Sequence, residues 1–133
     1  MTATDTKILR ILKQAASNAL LGEVMATPKP GLVDRSNNGA HRDMNLFTFL
    51  RSASAILPYL QEMAETGLSW DASPQELFSA LRPVGREAER AMFRATCGVN
   101  THKGAIFSLG LAVAAAGARY RKTGRLNAGE ILE

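Results

Sequence analysis

Cysteine is nearly missing from this chain: Cys97 stands alone among 133 residues. An internal disulfide is therefore excluded, and the chain suits a reducing cytoplasm. Cys97 itself reads as a small buried apolar residue. Histidine is almost as scarce, with His41 and His102 only. Two imidazoles and one thiol are too few for a histidine-based zinc site. Aromatic residues make up 6%, and cations alternate with carboxylates. No stacking platform for nucleic acid follows from that pattern. There is no long hydrophobic run either. The uncharged stretch of residues 105–118 falls short of the roughly 20 residues of a bilayer span and reads as a buried core helix. The polar start shows no secretory hydrophobic region. Alternating strand patterns, internal repeats and low-complexity tracts are also missing.

What is present is an ordinary globular composition: 46% hydrophobic and 21% charged residues, with a net charge of +4. That length suits one compact domain. The positive balance favours anionic partners such as nucleotides or coenzyme A.

Four helical segments carry a period of 3.6. The first covers residues 5–25, with Ile8, Leu9, Leu12, Ala15, Ala16, Ala19 and Leu20 on one face. The second covers residues 45–66, with Pro58 as an expected kink. The third starts at the capping sequence Ser73, Pro74, Gln75, Glu76 and runs to about residue 96, with a break or bend expected at Pro83. The fourth covers residues 102–120. Gly110, Ala114 and Gly117 form a small-residue stripe on it, which marks close helix packing. The expected fold is all-α, a single helical domain of four to five helices. A further helix start at Asn127, with Glu130 three positions on, is followed at once by the end of the sequence. The chain therefore reads as the N-terminal part of a larger α-helical enzyme, cut inside an element. Such a piece is expected to associate with itself as a homo-oligomer or with a missing C-terminal half.

Two polar segments interrupt the helices. Residues 27–43 hold Lys29, Asp34, Arg35, His41, Arg42 and Asp43 on a backbone stiffened by Pro28 and Pro30 and turned at Gly31 and Gly39. Such a mixture suits a phosphate or metal–phosphate site. It equally suits a solvated loop, and the residues alone leave both readings open. Residues 94–104 run from Arg94 through Asn100, Thr101 and His102 to Lys103 and Gly104. A helix start attracts anions, and a lysine in that first turn opposes the helix dipole unless an anion lies beside it. Asn100 or Thr101 also suits a simple helix cap. Glu89 reads as a surface residue, and Arg86, Arg90 and Arg94 as a solvated stripe.

Glu23-Val24, the run from Thr27 to Arg35, Gly39-Ala40-His41 with Asp43-Met44, Leu81-Arg82-Pro83, the run from Met92 to Thr96 and the run from Gly98 to Gly104 with Ile106 to Leu111 together resemble triphosphoribosyl-dephospho-CoA synthases. The resemblance runs from about residue 20 to residue 118. It implies transfer of the 5-triphosphoribosyl group of ATP to the ribose 2′-hydroxyl of 3′-dephospho-CoA, with release of adenine. The product is the prosthetic-group precursor for the acyl carrier protein of citrate lyase or malonate decarboxylase. Family members are about twice as long, and their later motifs are not in this sequence. An alternative is a catalytically incomplete nucleotide- or CoA-binding module that needs a partner half.

Carried onto this sequence, the resemblance implies that Lys29, Arg35, Arg94, Asn100, Thr101 and Lys103 bind ATP. Mg²⁺ is expected on Asp34 or Asp43. His41 or His102 would protonate or hydrogen-bond the departing adenine. Asp43 or Glu89 would act as base, and Glu23 or Glu89 would face the cationic sugar.

Overall fold

A computed structural model describes residues 1–26 and 45–126. Among them it holds four helices, 82% helical content and no strand. The all-α expectation holds. The helices are α1 (Ala3–Met25), α2 (Leu46–Leu68), α3 (Pro74–Ala95) and α4 (Lys103–Thr123). The helix start expected at Asn127 and the segment 27–44 lie outside the described residues.

Local sequence sets the helix ends. Thr2, Asn45 and Ser73 each open a helix through a reciprocal capping box, with Asp5, Thr48 and Glu76 as partners. In each, the cap side chain accepts from the N–H three residues on, which satisfies an otherwise orphaned donor. α4 ends at Gly124, whose φ of 72° is left-handed and costs little only for glycine. Arg121 and Lys122 in the last turn complement the carbonyl end of the helix.

Of the break or bend expected at Pro83, the break does not occur, since α3 is one continuous helix, and α2 likewise continues through Pro58. Both prolines lie on the exposed side. Buried neighbours on either side, Leu81 and Gly85 around Pro83 and Ile56 and Leu60 around Pro58, hold each helix in place. Their packing outweighs one lost backbone hydrogen bond.

α2 is the central element and packs on all three others. Ile56, Leu60 and Met63 of α2, Met92 of α3 and Ile106 of α4 are fully buried. α1 contributes Ile8, Leu9, Leu12, Ala16 and Leu20 to the same core. Ala15 and Ala19, expected on that face, are exposed. The small-residue stripe of α4 does mark a close approach. A Cβ on Gly117 would meet the Leu68 nitrogen at 2.8 Å and the Ala64 oxygen at 2.9 Å. One on Gly67 would collide with the Ala114 carbonyl. The α2 and α4 backbones are thus near contact, an approach that side chains at these positions would prevent.

Cys97 departs from expectation. It is exposed, with φ of 55°, and with Gly98 at φ 92° it turns the chain between α3 and α4. A left-handed conformation places its side chain outward from a tight turn instead of into the core.

Candidate functional site

The polar groups of the described residues gather where α4 begins. Thr96 anchors the approach. Its hydroxyl donates to the Met92 carbonyl at 2.9 Å and accepts from the Val99 N–H at 3.1 Å. The Gly98 N–H donates to the Phe93 carbonyl at 2.8 Å. These bonds fix the turn that delivers residues 100–103 to the head of α4.

His102 occupies the cap position of α4 without capping it. Asn100 does the capping instead: its Oδ1 accepts from the Lys103 N–H at 3.2 Å. Of the two capping options, Asn100 takes the role, and Thr101 turns inward to Ser52. The Thr101 hydroxyl lies 2.5 Å from Ser52 Oγ, which in turn lies 2.6 Å from Nδ1 of His102. Threonine, serine and imidazole thus form one hydroxyl–imidazole chain between α2 and the start of α4. The His102 N–H meets the Met92 sulfur at 3.1 Å, and the Phe49 ring stands edge-on to the imidazole at 5.1 Å.

His102 is 5% exposed. Among the described residues its Nε2 has no hydrogen-bond partner. Burial pushes the imidazole pKa below its usual value of 6.5, because a charged ring is poorly solvated there; the carboxylate of Glu23 opposes this. At neutral pH the ring is uncharged. It can offer a hydrogen bond through a ring N–H, and it holds no ready proton to release.

At the next residue, Lys103 Nζ lies 3.4 Å from Glu89 Oε1. Glu89, expected at the surface, is partly exposed there. Its side chain is 23% exposed and engaged by the lysine, because the turn at Cys97 folds α4 back along α3. The lysine remains more than half exposed, so the pair is solvent-screened and open to a ligand. Arg94 is exposed in the last turn of α3, where a cation complements the helix dipole. No hydrogen bond or ion pair joins it to the other site residues described.

The structure thus brings together Thr101 and His102, and Lys103 and Glu89, with Asn100 beside Lys103. Arg94 stays apart. Lys29, Asp34, Arg35, His41 and Asp43 lie outside the described residues. Among the described residues no group of three or more metal-ligating side chains occurs. Sequence reasoning missed Ser52, Phe49 and Met92. Ser52 carried a faint signal, as a hydroxyl on the apolar face of α2 between Phe49 and Ile56. Nothing in the sequence placed it against His102, fifty positions away.

A family model for ATP:dephospho-CoA triphosphoribosyl transferase matches residues 9–132, and the chain belongs to that family. A Vibrio cholerae serotype O1 protein named probable 2-(5''-triphosphoribosyl)-3'-dephosphocoenzyme-A synthase is 58% identical over 103 residues, covering 77% of this chain and 33% of that protein. A Streptococcus pyogenes serotype M49 protein of the same name is 48% identical over 120 residues, covering 90% of this chain and 41% of its own length. The chain thus spans between a third and about two fifths of these relatives. No solved structure matches it. Among the described residues no helix is long and apolar enough to cross a membrane.

Proposed function

We propose that this chain serves a transferase that moves the 5-triphosphoribosyl group of ATP to the ribose 2′-hydroxyl of 3′-dephospho-CoA. The observation that carries the reading is the family match over residues 9–132, which includes the whole cluster from Asn100 to Lys103. The dephospho-CoA hydroxyl oxygen bonds to C1′ of ATP, the C1′–N9 bond breaks, and adenine leaves. The hydroxyl proton goes to a base. No phosphate bond changes, so the protein's task is to hold the triphosphate and stabilise an oxocarbenium-like transition state.

Lys103 is the described residue best suited to a phosphate: an exposed ammonium in the first turn of a helix. Asn100 orients that turn. Glu89, held by Lys103, is a carboxylate that a bound phosphate would release to act as base or to face the sugar. His102, neutral and fixed by Ser52, suits a hydrogen bond to departing adenine better than proton transfer. Lys29, Arg35 and Arg94 are further proposed phosphate contacts, with His41 and Asp43 as alternative acid and base. Mg²⁺ on Asp34 or Asp43 would neutralise phosphate charge. Both carboxylates lie outside the described residues. The product would serve citrate lyase or malonate decarboxylase in the cytoplasm.

A second reading rests on the share of the relatives that the chain covers. In it the chain is a nucleotide- or CoA-binding module that turns over only with a partner half or in an oligomer. Titration calorimetry with ATP beside an adenine-release assay separates the two. Binding with release supports the transferase, binding without release supports the module, and the loss of both contradicts each.

A further inference from the structure

α3 and α4 run antiparallel along a seam whose order is fixed by three contacts. Glu89 meets Lys103 at the head of α4. One turn on, the Phe107 ring lies over Gly85, where an added Cβ would stand 2.8 Å from it. At the far end Phe78 and Leu111 face the same cavity, whose volume is about 600 Å³. That is within the range of small-molecule sites, about 300–1,000 Å³. Met63, 2% exposed, also lines it.

The lining is apolar except for Ser108, whose hydroxyl is already bonded to the Gly104 carbonyl, and two arginines. Arg82 lies 5.1 Å over the Phe78 ring. Neither Arg82 nor Arg86 has a carboxylate partner among the described residues. The cleft therefore pairs an apolar lining with two arginines along its α3 wall, Arg82 against Phe78 and Arg86 one turn nearer Lys103. Phe78, Phe107 and Leu111 remain 45%, 42% and 43% exposed.

We infer that the α3–α4 cleft takes the pantetheine arm of dephospho-CoA, with Arg82 and Arg86 on its diphosphate. This rests on the proposed transferase reading and deepens it. Of the two substrates, only dephospho-CoA joins a long uncharged chain to a diphosphate. ATP carries its phosphates on an adenosine and has no such chain to lay along the cleft. An apolar helix in the cleft would cover two guanidinium groups without counter-charge, a costly burial.

The test uses the whole chain with dephospho-CoA, ATP and pantetheine as separate probes. Ser108→Trp fills the cleft from an exposed position. Affinity for dephospho-CoA is expected to fall at least tenfold, with ATP affinity unchanged within twofold. Arg86→Ala is expected to weaken dephospho-CoA and leave pantetheine unaffected. In the unsubstituted chain, NMR signals of Phe78, Phe107 and Leu111 are expected to move on adding pantetheine, a readout that holds even if Ser108→Trp fails to fold. Unchanged dephospho-CoA affinity in a folded Ser108→Trp, or pantetheine shifts that avoid these three residues, overturns the inference. So does a change of oligomeric mass in Ser108→Trp with ligand affinity intact. A chain that takes dephospho-CoA into this cleft yet releases no adenine sinks the transferase reading alone.

Discussion

Ser52 Oγ lies 2.6 Å from Nδ1 of His102, a bond that ties the N-terminal third of the central helix to the head of α4. Ser52 is fully buried. Its hydroxyl serves both Thr101 and the imidazole, so removing it strands two polar groups in the interior. Ser52→Ala is expected to destabilise the fold by about 1–3 kcal/mol, the cost of leaving buried polar groups unsatisfied. Urea unfolding measures it. A change under about 0.5 kcal/mol, the scale of a neutral surface substitution, would show that the chain of hydroxyls is not sustaining the site.

The lowered pKa of His102 fixes the sign of a pH effect. The folded state favours the neutral ring, so it binds fewer protons than the unfolded chain. Stability from this group is full above the unfolded value near 6.5. It is lost as pH falls from there through the lowered folded value. Denaturation midpoints measured from pH 8 to about pH 5 should decline below roughly pH 6.5. A His102→Asn variant should lose that part of the slope. An identical slope in the variant assigns the acid sensitivity to other groups.

Two glycines separate close packing from helix propensity. Gly117→Ala drives a methyl into the α2 backbone and is expected to cost about 1–3 kcal/mol, as overpacking does. Gly22 sits within α1 with nothing within 4 Å of an added Cβ. Gly22→Ala is expected to stabilise by about 0.5–1 kcal/mol through the reduced freedom of the unfolded chain. Thermal melts of both variants check the contrast, and equal shifts would contradict the backbone approach at Gly117.

The Lys103–Glu89 pair is exposed on one side, and its contribution to stability is small, about 0–1 kcal/mol. Glu89→Gln should therefore leave the melting temperature nearly unchanged. If the lysine grips a phosphate, Lys103→Ala should weaken ATP binding by about 1.5–3 kcal/mol, the range for hydrogen bonds to charged groups. That is roughly tenfold to a hundredfold in affinity. Calorimetric titration measures it, and equal affinity removes Lys103 from the site.

Local signals carried most of the fold. Period 3.6 located all four helices, and Ser73 with Glu76 marked the start of α3 as observed. The same local logic did not tell a break from a bend at Pro83, where the helix continues because packing outweighs one missing N–H, and it failed at Cys97, because the backbone turn exposed the side chain. The site was legible only in part. Residues 100–103 announced themselves as a polar run before an apolar helix. Ser52 and Phe49 did not, since their contacts with His102 depend on how α2 meets α4 and no local pattern encodes that distance. The pairing of Glu89 with Lys103 was equally hidden, because it follows from the antiparallel return of α4 along α3.

The proposed reaction is a glycosyl transfer that leaves the triphosphate whole. The most direct measurement is chromatographic analysis of the chain incubated with ATP and 3′-dephospho-CoA. Adenine is expected to appear mole for mole with loss of dephospho-CoA, dependent on both substrates, with no inorganic phosphate or ADP. Phosphate or ADP in place of adenine, or ATP binding without any adenine, would contradict it.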